Sequence, residues 1–163
     1  MLKFAPLIPI TLAIAPPVFA TEAADHDALN GVVIPMFDAV LAEDIERVEP
    51  LLAEDARILA MFNPTGRTGE GSPRQFPLLT YFKIVTENYD NIAFVNRTYS
   101  IADDGRTVWM EADGDLRVAA TGEPYRNAYV FKVSIDDNGK VAEIKEWVNT
   151  VTLNQQGIPA GSD

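Results

Sequence analysis

Cysteine is absent from this 163-residue chain, and histidine occurs once. The first absence removes disulfides, thiolate nucleophiles and cysteine-based metal sites together. The second argues against a Ser-His-Asp triad, a histidine mechanism and a histidine-rich metal site, since His26 lies near the N-terminus and outside any motif. Positive charge is scarce: 13 Lys and Arg stand against 24 Asp and Glu, a formal charge of −11. Such a chain repels phosphate backbones and anionic bilayers, so neither nucleic acid nor a membrane surface is expected as a partner. Asp113-Gly114-Asp115 and Asp136-Asp137-Asn138-Gly139 crowd acids together, but without the ligand spacing of an EF-hand loop. No metal or cofactor is expected.

Long hydrophobic runs are also lacking, with one exception. Met1-Leu2-Lys3 leads into an apolar stretch from Phe4 to Phe19, closed by Val18-Phe19-Ala20 and then the polar Thr21-Glu22. The stretch is interrupted by Pro6, Pro9, Pro16 and Pro17 and is shorter than the roughly 20 apolar residues of a spanning helix. Small residues before a polar start suit a signal peptidase, so a signal peptide over 1–20, cut after Ala20, is expected. The mature protein is then exported, periplasmic or secreted, without a membrane span. Cleavage removes Lys3 and no acid, leaving 12 basic against 24 acidic residues.

The remaining length suits one domain, expected over 21–154, with a flexible tail over 155–163. From about Ala24 to Leu41, Val32, Met36, Phe37, Val40 and Leu41 share a helical face, with Pro35 kinking the helix or setting its start. Asp44 is placed to cap a short second helix carrying Ile45, Val48 and Leu52. Ala56 to Phe62 reads as a strand and Asn63 to Gly71 as a loop. Ser72-Pro73-Arg74-Gln75 fits a capping box opening a third helix towards Tyr89, with Pro77 placed to delay the regular helix by a turn. Beyond Asp90, segments of about Ile92–Ile101, Arg106–Ala119, Tyr125–Ile135 and Lys140–Leu153 are rich in β-branched and aromatic residues and separated by strong turn signals. Helices followed by a meandering sheet make an α+β layout.

Three stretches in this order carry a resemblance: Pro124-Tyr125-Arg126-Asn127-Ala128-Tyr129-Val130-Phe131, Asn138-Gly139-Lys140-Val141-Ala142-Glu143-Ile144, and Glu146-Trp147-Val148-Asn149-Thr150. They are similar to motifs of the SnoaL-like branch of the nuclear transport factor two-like superfamily. The resemblance implies a cone: a curved antiparallel sheet wrapped around N-terminal helices, leaving an apolar pocket with a few polar groups. It also implies a homodimer formed through the outer face of the sheet. It does not imply one reaction, because that superfamily hosts isomerases, dehydratases, epoxide hydrolases, cyclases and non-catalytic modules.

Alternation places Tyr125, Asn127, Tyr129, Phe131 and Val133 on one face of their strand, a bulky wall with a single amide. Tyr125, Asn127 and Tyr129 are therefore candidate ligand-binding residues, with Asn127→Leu expected to abolish binding and spare the fold; a core Asn satisfied by backbone is the other reading. Trp147 and Asn149 share a face on the last strand and join them. Relatives often have Asp at the position of Asn149, a catalytic carboxylate in the epoxide-hydrolase branch; an amide cannot act as a general base there. Trp109, Glu111, Asp113, Asp115 and Arg117 form a row, from which Glu111 or Asp113 could enter the pocket as a catalytic acid or base with a raised pKa. A solvated charged face is the alternative. Arg67 and Arg74, at the expected pocket rim, could attract an anionic ligand. The expected function is binding of a small hydrophobic molecule, with cofactor-free acid–base catalysis of the isomerase, cyclase or hydrolase type in view. The alternative is a non-catalytic interaction module using the sheet face, which a side-chain-filled cone would favour.

Overall fold

The computed structural model describes residues 27–61 and 74–156. The expected signal peptide, His26, the Asn63–Gly71 loop with Arg67, and most of the expected tail lie outside the described residues. A π-helical segment over Asp27–Val33 leads into α1 (Ile34–Leu41), which has Pro35 in its first turn, where a missing N–H costs nothing. The short α2 (Ile45–Val48) is capped by Asp44, whose side chain accepts from the Arg47 N–H at 3.2 Å. Strand β1 spans Leu52–Ala60 and β2 Arg74–Pro77. Helix α3 covers Leu78–Asn88. The remaining strands are β3 (Tyr89–Ile101), β4 (Thr107–Val118), β5 (Pro124–Ile135) and β6 (Val141–Val148), and α4 (Thr150–Gln156) follows.

Three expectations are corrected. Arg74 and Gln75 pair with Ala60 and Leu59 as strand β2 instead of opening a helix; α3 starts at Leu78, behind Pro77, with no side-chain cap hydrogen bond. The segment expected to stay extended to Leu153 leaves the sheet at Val148 and closes in α4. The sheet, ordered β2-β1-β6-β5-β4-β3, is mixed rather than wholly antiparallel, since β1 runs parallel to β6. Among the described residues no helix is long and apolar enough to cross a membrane.

The sheet curves because its long strands are bulged. In β3, Asn91 and Asn96 take positive φ values of 51° and 54°, where the β3–β4 register slips. Asparagine tolerates this left-handed region better than most residues, and each bulge adds a bend. The concave face receives α1 and α3. Phe37 of α1 packs against Phe131 at 5.2 Å between ring centroids and against Phe94 at 6.1 Å. Strands β4 and β5 alternate cleanly: Val108, Met110, Ala112 and Leu116 point inward, as do Tyr125, Asn127, Tyr129, Phe131 and Val133.

Gly114 continues the inward row of β4 opposite Asn127. A Cβ there would lie 2.4 Å from Cε2 of Tyr129, so only glycine lets that ring lie against the strand. Gly114→Ala should displace the Tyr129 ring and cost about 1–3 kcal/mol, the usual penalty for overpacking. Urea denaturation would read this as a lowered midpoint; an unchanged midpoint would show that the ring is not confined.

Candidate functional site

The concave face is not completely filled. Between the sheet, α1, α3 and α4 lies a cavity of about 90 Å³, more than half of whose lining is aromatic. Phe37 and Val40 come from α1, Tyr81, Phe82 and Val85 from α3, Phe94 from β3, Tyr125, Tyr129 and Phe131 from β5, and Leu153 from α4. One lining residue is ionisable as an acid in the physiological range: Glu146 of β6, only 4% exposed.

Glu146 faces inward through its pairing. It sits opposite Phe131 of β5 and Ala60 of β1, both buried on the concave side. The Tyr81 hydroxyl donates to Glu146 Oε2 at 2.6 Å and is its one side-chain hydrogen-bond partner among the described residues. Burial pushes the Glu146 pKa up from 4.5 to about 7, against the smaller downward pull of the Tyr81 hydrogen bond. Burial also raises Tyr81 well above the usual phenol range, helped by the neighbouring carboxylate. Desolvation raises Tyr125 and Tyr129 as well, so all three phenols stay protonated donors near neutrality. The arrangement is one buried carboxyl group, steered by a phenol, in a largely aromatic pocket.

Of the expected ligand-binding residues, Tyr125 and Tyr129 line this cavity. The other three do something else. Asn127 is buried and fully engaged: its Nδ2 donates to Tyr125 Oη at 2.8 Å and to the Asn149 carbonyl at 3.2 Å. Its Oδ1 accepts from the N–H groups of Ala128 at 2.8 Å and Asn149 at 3.0 Å. Asn149 is exposed and caps α4, its Oδ1 accepting from the N–H groups of Val151 and Thr152. Trp147 points to the convex face, where its ring stacks on Trp109 at 5.9 Å. The two asparagines therefore fasten α4, which carries Leu153, to the end of the sheet.

The expected catalytic pair is also displaced. Glu111 and Asp113 are exposed on the convex face, in the row with Trp109 and Asp115, because β4 alternates strictly and its inward places go to Val108, Met110, Ala112, Gly114 and Leu116. Asp113 accepts from Asn96 Nδ2 at 2.8 Å, and Asp115 accepts from Arg126 Nε at 3.1 Å. Neither Glu111 nor Asp113 lines the cavity beside Glu146. Arg74 is exposed on β2, its guanidinium 5.2 Å from the Phe76 ring centre, and does not line the cavity.

Glu146 escaped sequence reasoning for a definable reason. The β5–β6 register shifts by one between Ser134/Glu143 and Ile135/Val141. A slip of one residue reverses every side chain beyond it. The only trace in the sequence is that Val141 and Ile144, both fully buried, stand three apart and break the period of two.

Two consequences are measurable. Since the folded pKa of Glu146 lies above its unfolded value of 4.5, the native state holds the proton longer. Stability contributed through this group is therefore present below about pH 4.5 and lost as pH rises to about 7, a loss of about 3 kcal/mol in all. Urea unfolding of the protein and its Glu146→Gln variant from pH 4 to 8 should give a difference that changes over that window and is flat above it; a constant difference would mean that Glu146 titrates normally. Asn127→Leu, by contrast, strips four hydrogen bonds from a buried clamp and should cost about 2–4 kcal/mol. Hydrogen exchange should quicken first at the α4 amides, and unchanged protection there would show that the clamp is not what holds the helix.

A model of the SnoaL-like domain matches residues 33–144. No curated protein matches the chain by sequence. Among solved structures, a candidate polyketide cyclase from Xanthomonas campestris pv. campestris superposes with a TM-score of 0.65 at 14% identity, over 82% of this chain and 99% of that one. A phenazine biosynthesis-related protein from Pseudomonas aeruginosa gives 0.64 at 19% identity, over 94% and 93%. A candidate isomerase from Bacillus subtilis gives 0.61 at 21% identity, over 83% and 95%. At these identities the likeness shows the fold.

Proposed function

Because the chain belongs to the SnoaL-like domain family, within the nuclear transport factor two-like superfamily, we propose that it binds a small hydrophobic molecule in the cone cavity and acts on it by cofactor-free acid–base chemistry. The observation that carries this reading is Glu146, a carboxyl group buried in an aromatic cavity with a pKa near 7. A group half-ionised at neutral pH can take a proton from one ligand atom and return it to another, which is the chemistry of an isomerisation or an internal ring closure. The cyclase and isomerase among the structural neighbours are consistent with that class.

Tyr81 is the positioning residue in this scheme. Its 2.6 Å hydrogen bond to Oε2 fixes the carboxyl plane and favours the ionised form, so it tunes basicity as well as orientation. Tyr125 and Tyr129 are cavity-wall hydroxyls suited to a ligand oxygen on which negative charge develops. The cavity itself weighs against a module that uses only the sheet face, whose cone would be filled.

Exchange of α-protons for deuterium on small ketones in D₂O, followed by NMR, tests the reaction class without knowledge of the natural substrate. The protein should accelerate exchange with a rate that rises with pH through about 7, as the carboxylate form appears. Glu146→Gln should abolish the acceleration. Tyr81→Phe should lower it by about 10- to 100-fold and move the pH limb upward, since the hydrogen bond that favours the carboxylate is gone. Exchange that persists in Glu146→Gln would remove Glu146 from the chemistry.

A further inference from the structure

The charge and wall of this cavity also bear on which hydrophobic molecule it takes, given the reading above that it is the ligand site. Glu146 shares the cavity wall with Tyr81 from α3, with Tyr125, Tyr129 and Phe131 from β5 and with Tyr89 from β3, and it pairs with Ala60 of β1. None of these groups can supply positive charge, and no Lys or Arg is found in the cavity wall among the described residues. The whole chain adds a formal charge of −11, so the field favours cations and disfavours anions.

The wall points the same way. A neutral hydrocarbon is served as well by aliphatic side chains as by aromatic ones. A substituted ammonium gains from ring faces through cation–π attraction and from a carboxylate through a charge-assisted hydrogen bond. This cavity joins both features within one small volume. We infer that it also takes a small aliphatic amine, bound as the ammonium ion with its nitrogen on Glu146 and its carbon skeleton among the rings, a mode that occupies the carboxylate and so competes with its use as a base.

Size narrows the class. At about 90 Å³ the cavity is smaller than the roughly 150 Å³ of a dry engineered cavity that holds benzene. The ligand is therefore a short branched chain or a small ring. Proton balance follows directly. An ammonium ion arriving from water needs the carboxylate form, so any proton on Glu146 is released to solvent as the N–H···O bond forms. Near pH 7 about half a proton leaves per amine bound, and this falls towards zero at higher pH.

Isobutylamine, isobutanol and isobutyrate share one carbon skeleton and differ in head group and charge. Titrating each into the protein at pH 7, with the aromatic ring resonances of the cavity followed by NMR, separates the possibilities. Isobutylamine should bind at least tenfold more tightly than isobutanol, and isobutyrate should bind least. Calorimetry in two buffers of different ionisation enthalpy should show the released proton, and Glu146→Gln should erase the advantage of the amine over isobutanol. Isobutanol binding as well as the amine would overturn the selection of amines and leave the cavity as the ligand site. Preference for isobutyrate would reverse the sign of the selection, and an amine advantage that survives in Glu146→Gln would place the amine on the acidic surface; either result sinks the inference. If none of the three ligands moves the cavity resonances, the cavity reading fails with it. The comparison of the three ligands needs no variant, so it stands even if Glu146→Gln unfolds.

Discussion

A one-residue shift in the pairing of β5 and β6 turns Glu146 inward, and the site depends on that shift. On the near side of the shift Val141 is buried opposite Ile135; beyond it Ile144 and Glu146 are buried opposite Val133 and Phe131. Without the extra residue, strict alternation from Val141 would send Ile144 and Glu146 to the convex face and bring Lys145 and Trp147 inward. A lysine and an indole would then fill the cone. The bulge costs ladder hydrogen bonds at the foot of the hairpin, and the result is a concave face that holds a single carboxyl group.

Burying that group works against stability, because the ionised carboxylate loses hydration when the chain folds. The surroundings offset this in two ways. Tyr81 supplies a short hydrogen bond from α3, the helix laid across the open side of the sheet. The Tyr125 hydroxyl of the same wall is tied to Asn127, and Asn127 to the backbone at Asn149. Asn127 thus acts at a distance from the carboxyl group: it settles the strand end, lets Asn149 start α4, and so positions Leu153 against the cavity. The amide that looked like a contact for ligand is part of the frame that closes the cavity.

The sequence carried much of the fold and less of the site. Period-two alternation from Tyr125 to Val133 marked the inner wall, since no bulge interrupts the central run of β5. The Asp44 cap and the Pro35 start were visible because capping is local chemistry. The β2 strand was hidden because Arg74 and Gln75 satisfy a capping box on paper, while their pairing with β1 lies distant in sequence. Two site assignments lie away from the concave cavity through sidedness. Trp147 suggested a pocket by its size, yet β6 puts its aromatic residue outside and its acid inside; Glu111 and Asp113 suggested chemistry, yet lie on the solvated row of β4.

Sidedness and depth also decide what a carboxyl group at this end of the sheet could do. The Asp that the family resemblance would place at position 149 falls, in this chain, on an exposed Asn that caps α4. An acid there would sit in water at a helix N-terminus, and both conditions favour its charged form. Three residues earlier, Glu146 is surrounded by rings, and desolvation carries it to about 7. The two positions are neighbours in sequence but offer opposite acids: one always ionised, one able to exchange its proton near neutrality. A likeness at 14–21% identity shows the fold alone, whereas this difference rests on one bulge and one side chain of this chain. The character of this cavity therefore follows from Glu146 and its immediate wall, not from the outline of the cone.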